Sequence, residues 1–248
     1  MPNNCNWIIP EWPAPSNVKA LSTVRTGGYS QSPYDSFNLA LHVEDDAEKV
    51  LANRELLKTT AKLPAPPFWL KQIHSTIAVE VPAFDLSPVE ADASFTFHPN
   101  RICAVMSADC LPIIICNKTG TVVSAIHAGW RGLAGGIIEE TLKKIACIPN
   151  TLLAWLGPAI GSRAFEVKEN VLLAFKGDVT ETTFQPAKKP GVWYANLYEL
   201  ARQRLNRLGM SAIYGGEYCT YQESERFYSF RRSGITGRQA TLIWMTPP

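Results

Sequence analysis

The feature that most constrains the fold of this chain is a pair of apolar, β-branched runs on either side of the polar loop Asn-Lys-Thr-Gly, residues 117–120. Such an arrangement predicts an antiparallel hairpin. With residues 117–120 as the loop, Cys116 lies opposite Thr121 and Cys110 lies opposite His127. Directly opposed side chains have Cβ atoms roughly 4.5 to 5.5 Å apart. The hairpin therefore predicts a thiol beside an imidazole, unless a one-residue slip moves them to opposite faces.

The remaining segments mix helix and strand patterns without strict alternation. Helical patterns run from an N-cap at Asp45 or Asp46 to about Lys62, over residues 137–145, and over residues 197–208 behind an Asn196 cap. Strand patterns cover residues 19–26, 68–74, 76–81, 91–97, 102–107, 152–156, 227–232 and 240–245, with a loop over residues 82–88. We therefore predict an α+β (mixed α/β) fold, with mixed β-sheets flanked by helices, in a single compact domain over residues 1–248.

Composition excludes several classes of partner. The formal charge of +2 is nearly balanced and the basic residues are scattered, which argues against nucleic acid and against a membrane surface. The first residues lack the pattern of a signal peptide, and no apolar segment is long enough to span a bilayer. Six cysteines without the spacing of a small disulfide scaffold indicate reduced thiols. We therefore expect a cytoplasmic protein that acts on small molecules.

Three residues stand out as candidates for chemistry. His74 closes an apolar run, and with Cys110 and His127 it supplies one thiolate and two imidazoles, leaving a fourth ligand position open, as in catalytic zinc sites. Copper accepts the same ligands. In a second interpretation Cys110 is a nucleophile, activated by His127 and oriented by Asp109 or an amide. In a third, the thiol and the imidazole only fill the core.

The segment His-Ala-Gly-Trp-Arg-Gly, residues 127–132, connects the second hairpin strand to the helix predicted over residues 137–145. Its glycines allow a ligand to approach the backbone closely. Backbone N–H groups near a helix start, together with the guanidinium of Arg131, favour an anion. We therefore expect an anion near this connection.

Several separated motifs of the chain resemble those of one known family. They are Arg-Thr-Gly-Gly (25–28), Tyr-Asp-Ser-Phe-Asn-Leu (34–39), Trp-Leu-Lys-Gln-Ile-His (69–74), Ser-Ala-Asp-Cys-Leu-Pro (107–112), His-Ala-Gly-Trp-Arg-Gly-Leu (127–133), Gly-Pro-Ala-Ile-Gly (157–161) and Phe-Arg-Arg (230–232). The family is the laccase-domain family, also called multicopper polyphenol oxidase, peptidoglycan editing factor, and metal-containing purine nucleoside phosphorylase. The resemblance covers almost the whole chain.

The resemblance implies a metal site of His74, Cys110 and His127 in a single mixed α/β domain. It also implies phosphorolysis of adenosine and inosine, with adenosine deamination and methylthioadenosine cleavage. Zinc is the expected ion, since it lowers the pKa of a bound water toward about 7. Two other activities stay open: a cysteine hydrolase that edits peptidoglycan precursors through Cys110 and His127, and copper-dependent oxidation of polyphenols. Four histidines are few for a cluster of several copper ions.

Further site residues follow from the reaction that the resemblance implies. Arg25, Arg131 and Arg231 are candidates for phosphate, because a guanidinium matches phosphate oxygens bidentately. Asp109 is a candidate for orienting water or transferring protons. Since neighbouring residues on a strand point to opposite faces, this role requires an irregular turn at Asp109. Asn38 is a candidate contact to ribose or base.

Overall fold

The computed structural model of the protein describes residues 7–83 and 88–247, so the loop predicted over residues 82–88 lies largely outside the described residues. The helices are α1 (Ala47–Thr60), α2 (Trp130–Gly135), α3 (Ile137–Ile145), α4 (Glu169–Ala174), α5 (Leu197–Arg207) and α6 (Phe230–Ser233). The strands are β1 (Val18–Ser22), β2 (Ala78–Glu80), β3 (Ala93–Thr96), β4 (Ile102–Ser107), β5 (Leu111–Asn117), β6 (Val123–Ala128), β7 (Leu152–Leu156), β8 (Glu166–Lys168), β9 (Phe184–Pro186), β10 (Val192–Ala195), β11 (Ile213–Gly215) and β12 (Gln239–Met245). Within the part described, no helix has the length and apolar character to cross a membrane.

The strands form three sheets. The largest has the order β11-β7-β5-β6-β3-β2, a second has the order β1-β12-β4, and a third has the order β8-β10-β9. Strand pairs β2–β3 and β7–β11 are parallel, and the other named pairs are antiparallel. The predicted mixed α/β fold with mixed sheets is therefore confirmed.

The six-stranded sheet and the sheet of β1, β12 and β4 lie between layers of helices. One face of the six-stranded sheet, which includes Ile113 and Ile126, packs on α3 and α5. Its other face, which includes Ile114, packs on the three-stranded sheet of β1, β12 and β4. The far face of that smaller sheet, including Leu242, packs on Leu57 of α1. Alternate residues of one strand enter different apolar clusters because strand side chains alternate between faces. Strands β4 and β5 are therefore buried along their whole length.

Several predicted elements are confirmed. Helix α1 begins after Asp46, whose carboxylate accepts a hydrogen bond from the backbone N–H of Glu48, and α5 begins after Asn196, which accepts from Glu199. Helix α3 and strands β4 and β7 have the predicted bounds. Two strand predictions are wrong. Residues 68–74 make only isolated bridges, residues 227–229 lie outside any strand, and residues 230–232 belong to helix α6. Apolar and aromatic runs predict burial well, but a segment forms a strand only where its backbone can hydrogen-bond to an adjacent strand.

The central hairpin exists, but its predicted register is wrong. Cys116 pairs with Val123, not Thr121, and His127 pairs with Pro112, not Cys110. The loop is longer than predicted because the side-chain oxygen of Asn117 accepts hydrogen bonds from the backbone N–H groups of residues 121 and 122. The register is shifted by two residues. A shift of two preserves the face on which each side chain lies.

Candidate metal centre

Three ligand atoms meet where β5 begins and β6 ends. His74, Cys110 and His127 each offer one ligand atom, and these atoms all lie within 4.8 Å of one another. The two imidazole rings have centroids 4.9 Å apart at an angle of 68°. Around a tetrahedral zinc ion the ligand atoms are about 3.3 to 3.8 Å apart, given the usual Zn–S and Zn–N lengths. The three residues fit such an ion after a small contraction.

Gly129 keeps the space between the three ligands open. A Cβ atom at this position would lie 2.9 Å from the sulfur of Cys110 and 3.0 Å from Nδ1 of His74. The first distance is shorter than real Cβ contacts, and the second is tighter than most of them, so an added Cβ would displace the ligand side chains. The backbone of Gly129 has φ −61° and ψ 157°, which any residue can adopt. Glycine is therefore required here by the ligand cluster and not by the turn.

A buried carboxylate supports both histidines. Asp92 is fully buried, and its Oδ1 lies 2.8 Å from Nδ1 of His127. The same carboxylate accepts hydrogen bonds from the backbone N–H groups of Ile73 (3.2 Å), His74 (3.0 Å) and Ser75 (2.5 Å), and from the hydroxyl of Ser75 (2.8 Å). Burial opposes the charged form, but the hydrogen bonds from His127 and Ser75 outweigh it and hold the pKa of Asp92 at about 2. Asp92 is therefore an ionised acceptor for five donors.

His127 lies between that carboxylate and the thiol of Cys110. Burial favours neutral imidazole, but the interactions with Cys110 and with the Asp92 carboxylate outweigh it and raise the pKa of His127 to about 9. An ionised carboxylate only accepts hydrogen bonds, so Nδ1 of His127 carries a proton and Nε2 faces the ligand cluster. Asp109, which we predicted as one possible orienting group, makes no such contact. The orienting residue is Asp92.

Asp109 occupies the irregular turn between β4 and β5, with φ +95°. Its carboxylate makes hydrogen bonds to residues other than the two histidines. One oxygen accepts from the hydroxyl of Thr220 (2.7 Å), and the other accepts from the backbone N–H of Arg231 (2.7 Å). The irregular turn that the predicted role required is present. The hydrogen bonds, however, connect Asp109 to Arg231 and not to His127.

A cationic cleft of about 450 Å³ is lined by both Arg131 and Arg231. Arg131 lies over the ring of Trp130 (4.3 Å to the centroid), and Arg231 lies over the ring of Phe165 (5.3 Å). Trp130 and Arg131 directly follow Gly129, and Arg231 is bonded to Asp109, the neighbour of Cys110. One side of the cleft, at Trp130 and Arg131, and another, at Arg231, are therefore connected to the residues that form the ligand cluster.

Arg25 and Asn38 are not among the residues that line this cleft. The guanidinium of Arg25 donates to the backbone oxygen and carboxylate of Asp35 and to the backbone oxygen of Ser224. Asn38 is fully buried; its amide donates to Ala40 and Asp45 and accepts from Ala40 and from the backbone of Arg238. Protein groups occupy the whole hydrogen-bonding capacity of Asn38 in this structure, and its contact with ribose or base stays a prediction.

Sequence reasoning missed two residues of the centre. Asp92 carried a signal: a carboxylate inside a strand pattern, between two alanines, must be buried with partners. Arg238 carried none. Burial lowers its pKa, and Cys110 and Asp109 oppose that shift, so its guanidinium lies within electrostatic range of the cluster. Two backbone carbonyls, of residues 236 and 237, hold this guanidinium.

A family described as multi-copper polyphenol oxidoreductase laccase matches residues 19–246. The chain belongs to this laccase family. It is 48% identical over 242 residues to the purine nucleoside phosphorylase PA4543 of Pseudomonas aeruginosa, covering 96% of this chain and 98% of the relative. It is 45% identical over 238 residues, with the same coverage, to the purine nucleoside phosphorylase YfiH of Escherichia coli.

Solved structures of the laccase family share the fold. Protein NMB0706 of Neisseria meningitidis has a TM-score of 0.93 at 45% identity, covering 98% of this chain and all of that one. YlmD of Geobacillus stearothermophilus has a TM-score of 0.90 at 27% identity, covering 99% and 100%. Although the family name mentions several copper ions, His74, Cys110 and His127 are the only cluster able to hold an ion among the residues described here.

Proposed function

We propose that this chain is a zinc-dependent purine nucleoside phosphorylase for adenosine, inosine and methylthioadenosine, with accompanying adenosine deaminase activity. The observation that carries the proposal is the three-ligand centre of His74, Cys110 and His127 beside a cleft that holds two arginines. The names of the relatives support the reaction class. Copper is the alternative ion, because thiolate and imidazole suit both metals.

Phosphorolysis forms a bond between a phosphate oxygen and C1′ of the ribose, and it breaks the bond from C1′ to the purine nitrogen, whose electrons leave with the base. Phosphate must therefore lie beside the sugar. Arg131 and Arg231 are the proposed phosphate ligands, since both line the cleft and guanidinium groups bind phosphate oxygens in pairs. Asp109 supports them by holding the backbone of Arg231 at the cleft.

His74, Cys110 and His127 would hold the metal, which supplies Lewis-acid chemistry of the kind that deamination requires. Gly129 leaves room for that group, and Asp92 engages Nδ1 of His127, so that Nε2 is the nitrogen that would bind it. Nucleoside and phosphate are the proposed substrates, and the near-neutral charge of +2 suggests no nucleic-acid partner.

The decisive experiment incubates zinc-loaded protein with adenosine, with and without phosphate, and follows adenine, inosine and ribose 1-phosphate by chromatography. We expect phosphate-dependent release of adenine that disappears in Cys110→Ala. The matched control is Cys147→Ala, which removes a half-buried thiol after α3. Absence of nucleoside turnover by the zinc-loaded protein would contradict the proposal.

A second candidate function rests on a different property of the same residues. Cys110, His127 and Asp92 form a chain of nucleophile, base and orienting carboxylate, as in cysteine hydrolases. In that case the substrate would be an amide of a peptidoglycan precursor. Chelator-treated protein would then release an amino acid from such precursors, and zinc would inhibit it. A metal-dependent enzyme would instead lose its activity in the presence of a chelator.

A further inference from the structure

The carboxylate of Asp92 contacts both histidine ligands. It is fully buried and belongs to the segment just before β3. Its backbone oxygen also accepts from the backbone N–H of His127 (2.7 Å), so side chain and main chain together hold this residue. The histidines come from separate segments, 18 and 35 residues away from Asp92 along the chain. Their relative position therefore depends on Asp92.

For His127, Asp92 determines which ring nitrogen is available. A carboxylate at Nδ1 keeps a proton on that nitrogen, so Nε2 is the nitrogen that gives up its proton and offers its lone pair when a metal binds. An amide whose NH₂ group faced Nδ1 would favour the opposite tautomer. The neutral ring would then keep its proton on Nε2, the nitrogen that faces the ligand cluster.

For His74, Asp92 holds the backbone. This residue has φ +59°, a left-handed conformation that a residue other than glycine adopts only with support. The support consists of three consecutive backbone N–H groups, of residues 73, 74 and 75, all directed at the carboxylate of Asp92. This arrangement presents the imidazole of His74 to Cys110, with Nδ1 on the side of Gly129.

Only an ionised carboxylate accepts all five donors. The donors are the three backbone N–H groups, the hydroxyl of Ser75 and Nδ1–H of His127. Asparagine has the same shape, but its NH₂ group would face either the N–H groups near Ser75 or the imidazole N–H. In either orientation the NH₂ group would face other hydrogen-bond donors, so at least one of the two histidines would move.

We propose that Asp92 is a positioning residue that holds His74 and His127 together as one metal-binding unit. The inference rests on the metal centre of the proposed function and not on the identity of the substrate. Outer partners of this kind typically change metal affinity by about 10- to 100-fold. Asp92 therefore acts through the histidines, without contact to substrate.

The test measures zinc affinity by competition with a chromophoric chelator, and the absorption spectrum of the cobalt-substituted protein, for Asp92→Asn. The control is Asp178→Asn, which removes an equally buried carboxylate that binds Arg204 and Arg207 instead. We expect the zinc Kd of Asp92→Asn to rise about 10- to 100-fold, with an altered cobalt spectrum, and that of Asp178→Asn to stay within about twofold. A folded Asp92→Asn protein with wild-type zinc Kd would overturn the proposal.

A measurement on the wild-type protein covers the case in which Asp92→Asn does not fold. Nitrogen-15 NMR of the zinc-loaded protein reports which imidazole nitrogens carry protons. We expect a proton on Nδ1 of His127, protected from exchange by Asp92. A proton on Nε2 of that residue would overturn the proposal. Neither readout uses turnover, so loss of the proposed phosphorylase activity would leave the inference about Asp92 standing.

Discussion

At the scale of single residues, the metal centre depends on the lack of a side chain at Gly129 as much as on its three ligands. Cys110 and His74 approach each other over the open face of Gly129, where a methyl group would contact both. The phosphate site proposed beside it depends on two arginines whose guanidinium groups lie against aromatic rings. Both features can be tested by exchanging one side chain.

We predict that Gly129→Ala weakens zinc binding about tenfold or more, the scale on which displaced supporting groups change metal affinity. The backbone at Gly129 accepts alanine, so far-ultraviolet circular dichroism should not change. The control is Gly177→Ala, because a Cβ atom at that position meets nothing within 4 Å. A Gly129→Ala protein that binds zinc like the wild type would contradict this prediction, because it would show that the ligands can move apart without loss of zinc affinity.

We predict that Arg131→Gln and Arg231→Gln each raise the KM for phosphate, while the KM for adenosine changes little. A hydrogen bond to a charged group contributes about 1.5 to 3 kcal/mol, so the expected increase is roughly tenfold or more. Steady-state kinetics at saturating adenosine measures it. Arg163→Gln, an exposed residue outside the cleft, is the control. Wild-type phosphate KM in both cleft variants would remove these residues from the phosphate site.

At the scale of elements, the short helix α2 connects the metal centre to the body of the protein. Arg204 of α5 donates to the backbone of Ala134 in α2, to Glu139 in α3, and to the buried carboxylate of Asp178. Arg207 also donates to Asp178. Three helices and the turn after α4 that contains Asp178 are therefore held by one ionic network.

We predict that Asp178→Asn lowers the free energy of unfolding by about 3 kcal/mol at neutral pH, as expected when one partner of a buried ion pair is lost. Burial raises the pKa of Asp178, but the hydrogen bonds from Arg207 and Arg204 outweigh it and lower the pKa below 3.8. A depressed pKa stabilises the fold fully above roughly pH 5, and the contribution disappears as pH falls through the folded-state value. The free energies of unfolding of the wild type and of Asp178→Asn, measured in urea, should therefore become equal as the pH is lowered. A constant difference down to pH 2 would contradict this explanation.

At the scale of the whole molecule, the metal centre joins distant parts of the chain. His74 follows the segment that bridges Phe68 to β4, Cys110 precedes β5, and His127 belongs to β6. An ion held by all three binds only the folded chain, so its binding free energy adds to the stability of the fold. Removal of the metal should consequently affect global unfolding and not only turnover.

We predict that a chelator lowers the Tm of zinc-loaded protein. Free zinc at a thousand times its Kd stabilises by about 4 kcal/mol, and for a chain of 248 residues this corresponds to roughly 8 to 16 °C. Differential scanning calorimetry with and without chelator measures the shift. Cys110→Ala should unfold at the same temperature under both conditions. An unchanged wild-type Tm would argue against a metal held by these three residues.

The sequence by itself determined the elements and the ligand trio. The periodicity of residues 137–145, the Asp46 and Asn196 caps, and the two apolar runs around residues 117–120 are local signals, and the structure confirms each of them. The trio was accessible because strand side chains alternate: an error of two residues in the hairpin register left Cys110 and His127 on one face. A two-residue error in the register therefore did not change which residues were identified as the trio.

Only the tertiary structure decided what surrounds the trio. Asp92 contacts residues 18 and 35 positions away, and Asn38 meets Arg238 across 200 positions of sequence. No periodicity or turn rule spans such separations, because they are set by how sheets and loops pack. For the same reason Asn38 proved to be a buried support, and Asp109 a partner of Arg231. Buried polar side chains take their partners from the whole fold, whereas helices and turns form from neighbours in sequence.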